Sequence, residues 1–212
     1  MIILAIILFA DDMCLLAPTR SSLEILLAES ANYCNKLGLQ FNPKKSKILV
    51  FSKKKVDTSV LKPILLNGAV IEYATSVKYL GVTLISDRGI NFSATKEIQT
   101  FYRAANSILT SVNKPNEQVL MQLLYTNCVP IISYACNVKI YSAQDMRDCN
   151  TAVNDAIRKI FTYQRWESVR SLRDGFQMKS VYEMFKIASD KFQLSLANHP
   201  NSILRHIHSN VD

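Results

Sequence analysis

Residues 9–18 read Phe-Ala-Asp-Asp-Met-Cys-Leu-Leu-Ala-Pro, and they set two adjacent carboxylates, Asp11 and Asp12, between the apolar runs 2–9 and 13–17. Apolar runs of this length bounded by a short polar turn predict strand, tight turn, strand. Aspartate is a common turn residue, so a pair at a hairpin tip has a plain structural reading. The chemical reading starts from repulsion. Two neighbouring acids flanked by Ile- and Leu-rich strands disfavour each other's charge unless a cation neutralises them, and Mg²⁺ is satisfied by one or two carboxylates, waters and substrate phosphates. Both readings stand at this point.

Working outward, Pro18 ends the second strand. Ser21 and Glu24 have the spacing of a capping box ahead of Leu23, Leu26, Leu27, Ala31 and Cys34, which predicts a helix from about 22 to 36 with Gly38 as its C-terminal cap. Asn42-Pro43 predicts a turn, 48–51 a short strand, and Asn67-Gly68 a type I′ hairpin. Residues 77–85 read as one strand in which Gly81 marks a bulge or the close approach of another backbone. After Asp87-Arg88-Gly89 the apolar period lengthens to about 3.6, with Ile98, Phe101, Tyr102, Ala105, Ile108, Leu109 and Val112 on one face. Helices capped by Asn116 and Ser142 and one over about 179–197 follow. The expected fold class is therefore α+β, with strands and one packed helix over 1–89 and helices over 90–212.

The 212 residues carry a formal net charge of +8 and a pI near 9.3, which favours a polyanionic partner, nucleic acid ahead of an acidic membrane surface. Seven lysines against Asp57 alone lie between Lys44 and Lys62. The opening apolar run meets two acids after ten residues, too short to span a bilayer, so stable membrane insertion is not expected. Five scattered cysteines without a C-x-x-C pair read as reduced thiols of an intracellular protein, cytoplasmic or nuclear. His199, His206 and His208 read as solvated tail residues. Arg147, Arg158, Lys159, Arg165, Arg170 and Arg173 read as solvated helix faces, some of them available to duplex phosphate. Tyr163 and Trp166 read as half-buried against a neighbouring helix, with base stacking as the alternative.

Phe9-Ala10-Asp11-Asp12 inside an apolar hairpin resembles the F/Y-A-D-D motif of reverse transcriptases. Leu37-Gly38-Leu39, Asn42 and Lys44-Lys45-Ser46-Lys47 follow in order and are similar to that family's next palm motif. Val77-Lys78-Tyr79-Leu80-Gly81-Val82 resembles its primer-grip motif. Together these resemble the reverse transcriptase of a LINE-type, non-LTR retrotransposon of the Jockey or chicken-repeat kind, with 1–89 as a partial palm and 90–212 as a helical thumb and C-terminal region. The resemblance implies RNA-directed DNA synthesis with Mg²⁺ (or Mn²⁺), an RNA template, a DNA primer and deoxynucleoside triphosphates. It implies Asp11 and Asp12 as metal ligands and Phe9 under the primer end. Lys47, or Lys44 and Lys45 in its place, would approach the triphosphate, against simple solvation of a basic run. Tyr79, Leu80 and Gly81 would hold the primer backbone, against an ordinary bulged strand. It also implies fingers and an earlier palm strand with a further metal-binding Asp upstream, without which the chain is expected to be inactive. Two alternatives from other classes are a non-catalytic nucleic-acid-binding module and a helical interaction protein.

Overall fold

The computed structural model describes residues 6–54, 56–86, 90–111 and 116–209. Met1 to Ala5, Lys55, Asp87 to Gly89 and Val112 lie outside the described residues. The fold is α+β and divides into two compact units, residues 1–91 and 92–212.

In the first unit, β1 (Ile6–Phe9) and β2 (Asp12–Leu15) form an antiparallel hairpin. The turn is Ala10-Asp11 alone, so Asp12 is the first residue of β2 and pairs with Phe9. Helix α1 (Arg20–Lys36) follows. Its N-cap is Thr19, whose hydroxyl accepts from the Ser22 amide at 3.2 Å, and not Ser21. The reason is that Glu24 is taken by Arg20 (2.8 Å) one turn back and does not reach an amide at the helix start. At the other end Gly38, at φ 72°, closes a Schellman motif in which the Gly38 and Leu39 amides donate to the carbonyls of Asn35 and Cys34.

The Asn42 side chain accepts from the Lys44 amide at 3.0 Å, fixing the expected turn. The strand after it is shorter than expected: β3 spans only Lys47–Ile48 and runs parallel to β5 (Ala69–Tyr73). Hairpin β4 (Ile64–Leu66) to β5 turns on Asn67 and Gly68, both at positive φ (49° and 79°), as type I′ geometry requires. Leu23, Leu27 and Ala31 of α1 pack on Ile48, Ile64, Leu66 and Ile71, and this small core unites helix and sheet. Arg20 fastens the helix start, donating to the carbonyls of Lys62 and Pro63 at the entry to β4.

Residues 77–85 are not one bulged strand. They form a third hairpin, β6 (Ser76–Tyr79) and β7 (Val82–Ser86), with β8 (Ile90–Phe92) beyond β7. Leu80 and Gly81 are both at positive φ (47° and 79°), the same backbone signature as Asn67-Gly68. An x-Gly step reverses the chain as readily as it bulges a strand, and here the antiparallel partner begins at Val82, opposite Tyr79.

The second unit is helical: α2 (Thr95–Ser111), α3 (Glu117–Leu123), a π turn at Leu124–Cys128 leading into α4 (Val129–Ser133), α5 (Ala143–Ile160), α6 (Arg170–Gly175), α7 (Val181–Ala197) and α8 (Ser202–His208). Phe101, Met121, Ile132, Val153 and Ile157 are fully buried at its centre. Asn116 and Ser142 cap α3 and α5 as their residue types predict. Ser180 and Glu183 form a reciprocal capping box at the start of α7. These hydrogen bonds from Ser180 hold the Glu183 carboxyl below the usual glutamate value of 4.5. A depressed folded-state pKa means that the cap stabilises α7 fully above that value and loses its contribution as pH falls through the folded pKa. Carbon-detected NMR titration should therefore place Glu183 at the acid end of the chain's glutamates, and Ser180→Ala should return it to the ordinary range.

All five cysteines are free, and burial pushes the thiols of Cys14, Cys128, Cys136 and Cys149 up, that of Cys149 to about 12. No described helix is long and apolar enough to cross a membrane.

Candidate functional site

The hairpin tip follows from local chemistry. Strands β1 and β2 are Ile- and Leu-rich, and the two-residue loop forces Ala10 to φ 51°, a conformation that costs an L-residue roughly 1–2 kcal/mol. Asp11 sits in the turn and Asp12 opens β2, and both are exposed. Residues directly opposite in a strand pair lie on one face, and residues two apart on a strand share it. Phe9, Asp12 and Cys14 are therefore on a common face of the hairpin. Phe9 is 62% exposed, although it is the largest apolar side chain of β1.

Tyr79, at the end of β6, lies within electrostatic range of this hairpin. Its phenol is raised above the ordinary tyrosine value first by burial, then by the nearby Cys14 thiol and the Asp12 carboxylate. The Tyr79 hydroxyl is buried and has no hydrogen-bond partner in the described structure. The end of β6 thus lies within electrostatic range of a hairpin far earlier in the chain, and Leu80 and Gly81 lead from Tyr79 into β7. Cys14, read from the sequence only as a reduced thiol, shares the Asp12 face because it stands two residues further along β2.

The basic cluster sits elsewhere in the unit. Lys44 and Lys45 are exposed in the turn after Asn42. Lys47, in β3, is paired with the Glu72 carboxylate of β5. That partner was hidden from the sequence because parallel pairing joins residues 25 apart. An open groove of about 430 Å³ runs between α1 and β4, lined by Leu27, Ala31, Asn35, Ile64 and Leu66 among others, and not by the carboxylates.

Asp11 and Asp12 fit a hard divalent cation in donor type: two adjacent, solvated carboxylates, with no lysine or arginine salt bridge to either among the described residues. They do not form a complete cage. Among the described residues no group of three or more His, Cys, Asp or Glu side chains converges to hold a metal.

Residues 3–84 match the family model of the reverse transcriptase (RNA-dependent DNA polymerase). The reverse transcriptase match thus covers the first two hairpins, the lysine-rich turn and most of the third hairpin, and it stops within β7, before the helical unit. A curated relative continues further. The "Probable RNA-directed DNA polymerase from transposon BS" of Drosophila melanogaster is 23% identical over 211 residues, which is 94% of this chain. The chain spans only 23% of that relative's length. No solved structure matches the chain.

Proposed function

We propose that the chain supplies the palm hairpin and adjoining thumb helices of an RNA-directed DNA polymerase from a LINE-type, non-LTR retrotransposon. The observation that carries this is a coincidence of place: the reverse transcriptase match over residues 3–84 contains both the Asp11-Asp12 hairpin and the Tyr79 strand end, whose phenol feels the Asp12 charge. The likeness to a transposon polymerase across 94% of the chain supports extending the reading into the helices.

In this reading Asp11 and Asp12 hold Mg²⁺ (or Mn²⁺), which when bound would supply charge stabilisation to the attacking and leaving oxygens of nucleotidyl transfer. The chain's own side chains do the positioning. Phe9 presents an exposed apolar face beside Asp12, suited to the terminal sugar or base of a primer. The Tyr79-Leu80-Gly81 turn offers the backbone contact that fixes the primer end against the hairpin. Lys47 reaches a triphosphate only by leaving Glu72, so Lys44 and Lys45 are the readier countercharges. Two carboxylates do not complete a two-metal site, and a third from polypeptide outside these residues is required. Free cysteines throughout support an intracellular, reducing location.

The test is crosslinking from a primer whose 3′-terminal nucleotide carries a photoreactive thiobase, annealed to RNA and bound in Mg²⁺. Adducts should map to residues 9–12 and 79–81. Adducts confined to residues 92–212 would sink the palm assignment, and processive primer extension by the purified chain that disappears in Asp11→Asn would show that Asp11 and Asp12 need no further carboxylate.

A further inference from the structure

Trp166 is the chain's single tryptophan and is 82% exposed, where partial burial against a helix was expected. The loop that carries it is held at both ends. Helix α5 ends at Phe161 in a Schellman motif, with Thr162 at φ 57° and the Tyr163 amide donating to the Arg158 carbonyl at 2.9 Å. The Arg158 guanidinium donates across the loop to the Glu167 carbonyl at 3.0 Å, and the Glu167 carboxylate accepts from the Gln164 amide. Val169, 3% exposed, anchors the far end in the core. The indole is therefore displayed by a fixed backbone. A tryptophan is usually well buried, so holding its faces to solvent on a pinned loop calls for a ligand.

Charge identifies the ligand class. Residues 158–173 contain five basic side chains, Arg158, Lys159, Arg165, Arg170 and Arg173, and one acid, Glu167, whose carboxylate is already engaged within the loop. Arg165, next to the indole, is exposed, and Arg170 is exposed with only a 3.9 Å pairing to Asp174. Tyr163, 37% exposed, adds a second aromatic on the other side of Arg165. Aromatic faces interleaved with cations suit stacking on unpaired bases while the phosphates are neutralised. The reverse transcriptase match ends at residue 84 and assigns nothing to this loop.

We propose that the Tyr163–Arg170 loop is a binding site for single-stranded nucleic acid, with Trp166 stacking on an unpaired base and Arg165 and Arg170 contacting the flanking phosphates. The site needs no metal and does not depend on the Asp11-Asp12 hairpin.

The single tryptophan makes the test direct. Titrating the full chain with a 20-nucleotide oligothymidylate in low salt and EDTA should quench the intrinsic fluorescence to saturation, with affinity falling as salt rises. Anisotropy of a labelled oligonucleotide should show Trp166→Ala weakening binding about 5- to 150-fold, and Trp166→Phe less, since loss of one base–aromatic stack is worth about 1–3 kcal/mol. Asp11→Asn should leave the quench unchanged, which separates this site from the palm hairpin. An affinity within twofold of wild type in a natively folded Trp166→Ala would overturn the proposal. So would equal quenching by a blunt duplex of the same length, or by polyglutamate at matched ionic strength, which would assign the loop to an acidic protein partner.

Discussion

Replacing Glu97 with alanine is expected to destabilise the helical unit by about 3–5 kcal/mol, a large fraction of the roughly 5–15 kcal/mol that holds a domain of ordinary stability together. Lys139, in the turn after α4, has a side chain only 1% exposed, and its ammonium lies 3.0 Å from the Glu97 carboxylate of α2, itself 15% exposed. The same ammonium sits 5.9 Å over the Tyr141 ring. Removing the glutamate leaves a buried cation with an aromatic face as its remaining neighbour, and the desolvation cost is then uncompensated. The second oxygen of Glu97 is buried without a partner, so the pair is already imperfectly satisfied. That predicts an asymmetry: Glu97→Leu combined with Lys139→Met should recover most of the loss, because removing both charges removes the desolvation cost as well. Urea unfolding followed by helical circular dichroism measures both. A Glu97→Ala shift below about 1 kcal/mol would mean that water reaches the pair and solvates the lysine.

The second large effect concerns the hairpin. Asp11→Asn is expected to weaken Mn²⁺ binding at the β1–β2 turn by about thirtyfold or more. A divalent cation about 4 Å from one carboxylate gains roughly 2 kcal/mol even at the dielectric of water, twice the value for two unit charges, and closer contact adds to it. Paramagnetic broadening of amide signals is the readout. In the wild-type chain it should centre on Ala10 to Met13 and extend to Tyr79, because the Tyr79 phenol lies near Asp12 and Cys14. Asp12→Asn should also weaken binding. Broadening that centres on the carboxylates of the helical unit, or that is unchanged in both variants, would remove the hairpin as a metal site.

The sequence made local features legible wherever a single residue type has one strong conformational use. Asn67-Gly68 turned as expected because both positions accept positive φ, and Gly38 closed α1 for the same reason. Ser142 and Asn116 capped their helices because a short polar side chain reaches the free amides of the first turn. The failures came where two uses compete. Leu80-Gly81 was compatible with a bulge or a reversal, and only the presence of an antiparallel partner at 82–86 decided between them. Ser21 and Glu24 had capping-box spacing, but Arg20 took Glu24, a competition between neighbours that spacing alone does not rank. Trp166 looked like a core residue by type and is exposed, because the hydrogen bonds of its loop, not its hydrophobicity, set its position.

By itself the sequence determined the α+β class, the hairpin that carries Asp11 and Asp12, the helix that packs behind the sheet core and the helical second half. All of these follow from periodicity and short-range steric rules that act within a few residues. What only the tertiary structure decided are the relations across long separations: the proximity of Tyr79 to the Asp12 charge, and the pairs Lys47 with Glu72 and Lys139 with Glu97. Such relations depend on register and packing: parallel pairing of β3 with β5 sets Lys47 beside Glu72, and burial of the Lys139 side chain calls for a carboxylate that no local pattern names.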